Sequence, residues 1–294
     1  MRRFLKGDGS MAGTAINRII GSTDLYDPVH RGESASVNFL TCHDGFTLYD
    51  LYSYNTKHNE KNGWNNTDGD NNGNSWNCGA EGETDDPQIE ELRRRMVKNA
   101  FATLLCSRGP AMFYGGDEFC NTQFGNNNAY CQDNAVSWLN WKLLETHKDQ
   151  VDFVKRLIAF RKAHKMFHMD REPRIMDYKS CGRPDVSYHG ENAWKPEFEN
   201  FRRQFGILYW GAYAKRPDGS DDANFYVAYN MHWEPHMFGL PHLPKGAKWR
   251  VICNTGAPDA ADLPTDGTGK VPKNQMMLAV PPRGIVILES FSEK

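Results

Sequence analysis

Apolar positions along the chain change their period a little past the middle. Residues 37–42 form a short, mostly apolar run that reads as a buried strand and ends directly in His43-Asp44-Gly45. Thr47 then offers an N-cap with Asp50 three residues later, a weak capping-box variant that predicts a helix opening over 47–54. Helical spacing is clearest over 87–108. Asp86 stands as N-cap before Pro87, Glu90 and Glu91 fill the first turn, and Ile89, Leu92, Met96, Ala100, Phe101 and Leu104 recur on one face. Gly109 closes that helix and Pro110 follows. Ala111-Met112-Phe113-Tyr114 reads as a second strand, ending in Gly115-Gly116-Asp117-Glu118. A last helix is expected over 149–164, with Val151, Val154, Leu157, Ile158 and Phe160 as its apolar stripe. Residues 1–36 are Gly-rich and show no long helical period.

After about residue 166 the helical period stops. The runs 205–213, 224–231, 248–253, 276–280 and 285–288 are strand-like and separated by turn clusters such as Arg216-Pro217-Asp218-Gly219-Ser220. Phe225, Val227, Tyr229 and Met231 alternate with their neighbours, as a half-buried strand requires. The chain therefore divides into an α/β part, 1–165, and an all-β module, 166–294, expected to be a small antiparallel sandwich. No internal repeat emerges.

Composition narrows the function classes. The 294 residues carry 35 Lys+Arg against 37 Asp+Glu, a formal charge of -2, without the basic surplus that nucleic acid or an anionic membrane would call for. Apolar runs fall far short of a membrane span. Arg2-Arg3-Phe4-Leu5-Lys6 superficially resembles a twin-arginine signal, but Gly7-Asp8-Gly9-Ser10 follows in place of an apolar segment. Asn65-Asn66-Thr67 is a formal glycosylation sequon of little weight. Seven scattered Cys with no CxxC pair read as reduced thiols, and the expected compartment is cytoplasmic.

Candidate chemistry gathers around the strand ends and the loops. Strand, loop, helix, strand is a parallel βαβ unit, and α/β barrels place their working residues at the C-terminal ends of such strands. Asp44 and the pair Asp117/Glu118 would share one face there, an arrangement that suits the paired carboxylates of glycoside hydrolysis. The same spacing also fits Asp44 as a helix cap and Asp117 as a turn residue. His43 would bind a substrate hydroxyl or be held in structure. The Asn-, Gly- and Trp-rich stretch 55–82 is a long loop of the kind that is often functional. Within it, Asp68-Gly69-Asp70-Asn71-Asn72-Gly73 opens like a calcium loop. Gly79 stands where the bidentate Glu is due and Glu81 comes two residues late, so a polar surface loop is expected and no metal or cofactor. Trp64 and Trp76 would offer faces to sugar rings or anchor their loop.

With these residues in place, the sequence resembles the debranching branch of the alpha-amylase superfamily, of the isoamylase and pullulanase type. The resemblance rests on Val37-Asn38-Phe39-Leu40-Thr41-Cys42-His43-Asp44-Gly45-Phe46-Thr47-Leu48, on the loop 59–66, and on Ser75-Trp76-Asn77-Cys78-Gly79 through Asp85-Asp86-Pro87. Gly116-Asp117-Glu118 and Asn126-Asn127-Asn128-Ala129-Tyr130-Cys131-Gln132-Asp133-Asn134, running on to Ser137-Trp138, complete it. It implies the last strands of a (β/α)8 barrel, about strands seven and eight, followed by a β-sandwich domain. It also implies retaining hydrolysis of alpha-1,6 linkages in a branched alpha-glucan: glycogen, amylopectin or a limit dextrin. Asp44 matches the transition-state-stabilising carboxylate and His43 the adjacent substrate-binding histidine. Trp64, Trp76, Asn128 and Glu118 are expected to line the substrate cleft. The family's nucleophile and acid/base lie on earlier strands and have no equivalent in these residues, so the chain is expected to be the C-terminal portion and inactive alone. Unpaired strand edges would favour self-association or a partner. Two rivals are a self-sufficient hydrolase using Asp44 and Glu118, and a non-catalytic alpha-glucan-binding or structural module.

Overall fold

Helices fill the first half of the chain and strands the second, as the change of period predicts. The computed structural model describes residues 1–27, 36–256, 263 and 268–292. Two short helices, α1 (Arg2–Leu5) and α2 (Ala12–Ile19), occupy the region that shows no long helical period. Ala12, Ala15, Ile16 and Ile19, at helical spacing, form the buried face of α2. Thr47 caps α3 (Leu48–Leu51) by accepting the Asp50 N–H at 3.2 Å, so that helix is a single turn. The Asp86 carboxylate accepts from the N–H groups of Gln88 and Ile89 to start α4 (Pro87–Leu105). After α5 (Leu143–Thr146), α6 (Lys148–Ala163) packs against α4. Arg161 of α6 donates to the carbonyls of Leu105, Ser107, Gly109 and Phe167 at 2.6–2.8 Å, satisfying carbonyls that the end of α4 leaves without partners. Gly109, at φ 103°, passes so close to Ser36 that a Cβ would lie 2.7 Å from its carbonyl oxygen.

The two runs expected as strands, 37–42 and 111–114, lie side by side and parallel. A single bridge joins them, Asn38 with Ala111, in which Asn38 N–H donates to Pro110 and Met112 N–H donates to Asn38. The βαβ order is present, but neither run is a regular strand. Among the described residues no further bridge extends the pair, and a two-stranded parallel ladder gains little by itself. Val37 and Phe39 are accordingly exposed, where a buried strand was expected, and Met112 is exposed beside them.

The C-terminal module holds β1 (Val186–His189), β2 (Gln204–Tyr209), β3 (Phe225–Asn230), β4 (His236–Gly239), β5 (Ala247–Asn254), β6 (Met277–Val280) and β7 (Gly284–Ser292). Five strands form an antiparallel sheet in the order β1-β2-β3-β7-β5, and β4 pairs with β6 in a second sheet. The short strands β1 and β4 were not expected. The run 205–213 ends early, at Tyr209, because Gly211 abuts the 222–223 backbone: a Cβ there would lie 2.0 Å from the Asp222 carbonyl oxygen.

Strand β3 corrects the half-buried reading, since all six of its residues are buried. Phe225, Val227 and Tyr229 face a core shared with the helices, where Phe205 stacks on Tyr229 and on Phe4 of α1, and Phe160 of α6 meets Phe225 edge-on. Tyr226 and Ala228 face a second core with Trp249, Phe238 and Val280, closed by β4 and β6. A strand covered on both faces loses the polar half of its alternation, and its tyrosines hide that loss from the sequence.

His189 is buried at the end of β1. Trp194 N–H donates to its Nδ1 at 2.7 Å, so Nε2 carries the proton and donates to Ser187 Oγ at 2.9 Å. Burial pushes its pKa down to about 4, against 6.5 for a free histidine. Between those values the unfolded chain takes up a proton that the folded chain refuses. The His189 contribution is therefore complete above pH 6.5 and is lost as the pH falls toward 4, up to about 3 kcal/mol. Urea unfolding across that range should show a shallower pH slope in His189→Gln than in the parent; equal slopes would contradict the assignment.

Candidate active site

The C-terminal ends of the two parallel runs are locked together by a buried carboxylate. Asp117 accepts from Thr41 Oγ1 at 2.5 Å, from Leu48 N–H at 2.8 Å and from Tyr114 N–H at 3.1 Å. One side chain thus joins the end of the first run, the start of α3 and the turn after the second run. Burial pushes the Asp117 carboxyl up to about 6 against the opposing pull of its donors, and the Glu118 charge adds to the rise. Asp117 is enclosed and fully engaged, so it serves as the turn residue of the two readings and not as a cleft carboxylate. Glu118 accepts from Gly116 N–H at 2.9 Å, within its own turn.

His43 and Asp44, in the turn after the first run, are open to solvent. Their side chains are 81% and 83% exposed, with His43 Nε2 3.5 Å from Asp44 Oδ2. The turn is held from behind, where Gly45 N–H donates to the Asn127 carbonyl at 3.0 Å.

Asn127 belongs to a lattice of amides joining the loop 57–70 to the loop 126–132. Asn59 donates to Asn127 Oδ1 and accepts from Asn127 N–H, both at 2.9 Å. Asn62 and Asn126 exchange hydrogen bonds. Asn62 and Asn128 both donate to Asp68 Oδ2 at 2.8 Å, and these two amides hold the Asp68 carboxyl below the usual carboxylate range. The nearly buried Lys57 ammonium donates to the Asp68 carbonyl at 2.5 Å. Asn128 thus lies in the lattice with its amide committed to Asp68. Glu81, late for a calcium loop, accepts from the N–H groups of Asn55 and Thr56 and from the Asn77 amide. Among the described residues no three His, Cys, Asp or Glu side chains gather as a metal would need.

A second buried carboxylate went unnoticed in the sequence except as a cap position. Asp50 accepts from Thr122 Oγ1, Gln123 N–H and Gly125 N–H, fixing the approach to the Asn-rich loop. Burial drives its pKa up to about 6 against those donors. Nothing in the local sequence marks it, because its partners lie more than 70 residues away.

The two loop tryptophans part company. Trp64 is 61% exposed on the 59–66 loop, and Tyr130, Trp138 and Trp141 are also exposed on or after the partner loop. Gln132 ties those loops together by donating to Lys61 O and Asn62 Oδ1. Trp76 is partly buried instead, with the Arg283 guanidinium 4.6 Å from its ring centroid and its backbone N–H donating to Leu51 O. The 43–45 turn and the two loops tied behind it therefore present an exposed carboxylate and imidazole, amides fixed by hydrogen bonds and, on those loops, the exposed rings of Trp64 and Tyr130, a set suited to a polyhydroxylated ligand.

No protein-family model matches the chain. At the level of sequence it is 37% identical over 298 residues to the "Glycogen operon protein GlgX homolog" of Mycobacterium tuberculosis H37Rv, covering 98% of this chain and 40% of that protein. It is also 36% identical to "Isoamylase 1, chloroplastic" of Oryza sativa, over 90% of this chain and 31% of that protein. The chain is a relative of the debranching enzymes of the isoamylase type. It spans well under half the length of these relatives. Among solved structures, pullulanase type I from Bacillus subtilis superposes over 99% of this chain and 32% of its own, with a TM-score of 0.63 at 20% identity. Pullulanase from Bacillus acidopullulyticus gives a TM-score of 0.62 at 19% identity, over 97% of this chain and 27% of its own. The pullulanase-like fold, with its antiparallel C-terminal sheets, follows from these matches. Among the described residues no helix is long and apolar enough to cross a membrane.

Proposed function

We propose that this chain supplies the Asp44 side of an alpha-1,6 debranching site and the β-sandwich domain that follows the barrel. In this reading the runs 37–42 and 111–114 are barrel strands seven and eight, α4 is the helix between them, and α6 is the final barrel helix. Residues 1–165 belong to the barrel and 166–294 to the sandwich. Asp44 would stabilise positive charge developing on the sugar in the transition state, and His43 would bind an adjacent hydroxyl. Trp64 and the exposed rings around it would stack on glucose units, with Trp76, Asn128 and Glu118 lining the cleft behind them.

The observation that carries this reading is the parallel bridge between Asn38 and Ala111, with the 43–45 turn at its C-terminal end in a chain 37% identical to a GlgX homolog. Several solved pullulanases are described as complexes with maltose or maltotetraose, which supports an alpha-glucan as the ligand. Retaining hydrolysis also needs a nucleophile and a proton donor. Neither has an equivalent in these residues, so the chain alone is proposed to be catalytically incomplete. The alternative is a non-catalytic alpha-glucan-binding module; retention on immobilised glycogen without any turnover fits both readings, and turnover excludes both.

The exposed Val37, Phe39 and Met112, beside Leu25 and Tyr26, form an apolar face around the unextended pair of runs. Light scattering of the pure chain should report dimers or larger species. A monodisperse monomer that unfolds cooperatively would remove self-association from the account.

A further inference from the structure

A large cleft whose lining does not include Asp44 lies between α6 and the edge of the five-stranded sheet. Its volume is about 890 Å³, within the range of small-molecule sites. Ala159 and Ala163, one turn apart on α6, leave room on one side. Arg250 of β5 and Phe291 of β7 stand opposite, with the guanidinium 5.1 Å from the ring centroid.

Part of the polar lining is a chain of paired charges, and Arg156 and Lys245 line the cleft beside it. Asp222 Oδ1 lies 2.8 Å from His164 Nδ1 and accepts from Arg216 Nε at 3.1 Å. Arg216 reaches on toward Glu289, 3.9 Å away, and Glu289 accepts from Arg250 through two nitrogens at 2.7 and 3.0 Å. At Arg216 and Arg250 a free anion would have to displace Asp222 or Glu289 from a guanidinium, and a cation would meet the guanidinium groups themselves. What such a lining offers without losing its own pairs is an array of oriented N–H and carboxylate edges. Asp222 itself is enclosed, and among the described residues its Oδ2 has no donor, so its Oδ1 carries the pairs that hold this end of the lining.

We propose that this cleft binds a neutral polyhydroxylated chain, a stretch of alpha-glucan, at a second site that needs no catalytic residue. Hydroxyl pairs of the sugar would bridge Arg216 and Glu289, while the Phe291 edge contacts a C–H face. The choice of alpha-glucan among neutral polyols rests on the debranching reading; the existence of the site does not.

Calorimetric titration of the full 294-residue chain with maltoheptaose tests it. Arg216→Met is expected to weaken binding about tenfold or more by removing a charged donor. Phe291→Ala should weaken it as well, and circular dichroism should show both variants folded. Asp44→Asn and Trp64→Ala should leave this component of binding unchanged. Wild-type affinity in both cleft variants overturns the proposal, as does a parent chain that binds no maltoheptaose. Binding lost only in Asp44→Asn or Trp64→Ala overturns the second site and leaves the debranching reading standing. Loss confined to the cleft variants supports the second site and leaves the Asp44 face to its own test. Competition by inorganic phosphate at millimolar concentration would make this an anion site and overturn the assignment.

Discussion

Asp117→Ala should destabilise the fold by about 3–5 kcal/mol, among the largest effects expected of any single substitution in this chain. Its carboxylate is enclosed and accepts from a hydroxyl and two backbone N–H groups on three separate segments. Alanine would leave those donors buried without an acceptor, at about 1–3 kcal/mol each before the structure relaxes. Because burial raises the Asp117 pKa to about 6, its contribution runs opposite to that of His189: it is complete below pH 3.8 and diminishes as the pH rises through 6. Asp117→Asn keeps the shape but turns an amide N–H toward one of the donors, so it should be damaging above pH 6 as well. Urea unfolding at pH 4 and at pH 7 measures both variants, and the Asp117→Ala loss should be the larger at pH 4. A loss under 1 kcal/mol for Asp117→Ala would show that the junction of the two parallel runs does not depend on this side chain.

The second large effect concerns chemistry. Incubated with glycogen or pullulan, the pure 294-residue chain should release new reducing ends at least about 10⁴-fold more slowly than a complete retaining glycosidase. In the proposed reading Asp44 stabilises charge in a transition state, and one carboxylate cannot serve at once as nucleophile and as proton donor to the leaving oxygen. The carboxylates after the parallel run 111–114 do not fill the gap: Asp117 is enclosed, and Glu118 is tied to the Gly116 N–H of its own turn. Robust release of linear chains would overturn this expectation. Loss of that release in Glu118→Gln would then favour the self-sufficient pair of Asp44 and Glu118.

Local signals in the sequence were good guides where local physics decides the outcome. Asp86 and Pro87 marked the start of α4, and Thr47 marked the single turn of α3, because caps act over three or four residues. The βαβ order was legible too, since it needs only the succession of elements. Regular strands at 37–42 and 111–114 were not, because a strand depends on neighbours that its own sequence does not name. Helix α2 was legible in principle from Ala12, Ala15, Ile16 and Ile19 and was obscured by surrounding glycines. At the candidate site, the motif pointed to His43 and Asp44, which the structure places in an exposed turn, but the different settings of Trp64 and Trp76 depend on the Arg283 stack from 207 residues along the chain. The Asn lattice and the Asp50 clamp depend on contacts between distant loops, so residue spacing gave no warning of them.

The central claim, that the face around Asp44 and the two Asn-rich loops receives an alpha-glucan, is tested most directly by indole N–H resonances in a maltotetraose titration. Trp64 and Trp138 are expected to shift with the sugar, and Asp44→Asn should weaken that response about tenfold, while the indole of the buried Trp249, whose Nε1 donates to Pro241 O, stays in place. Indole signals of Trp64 and Trp138 that do not move at millimolar maltotetraose, in a chain shown to be folded, would contradict it.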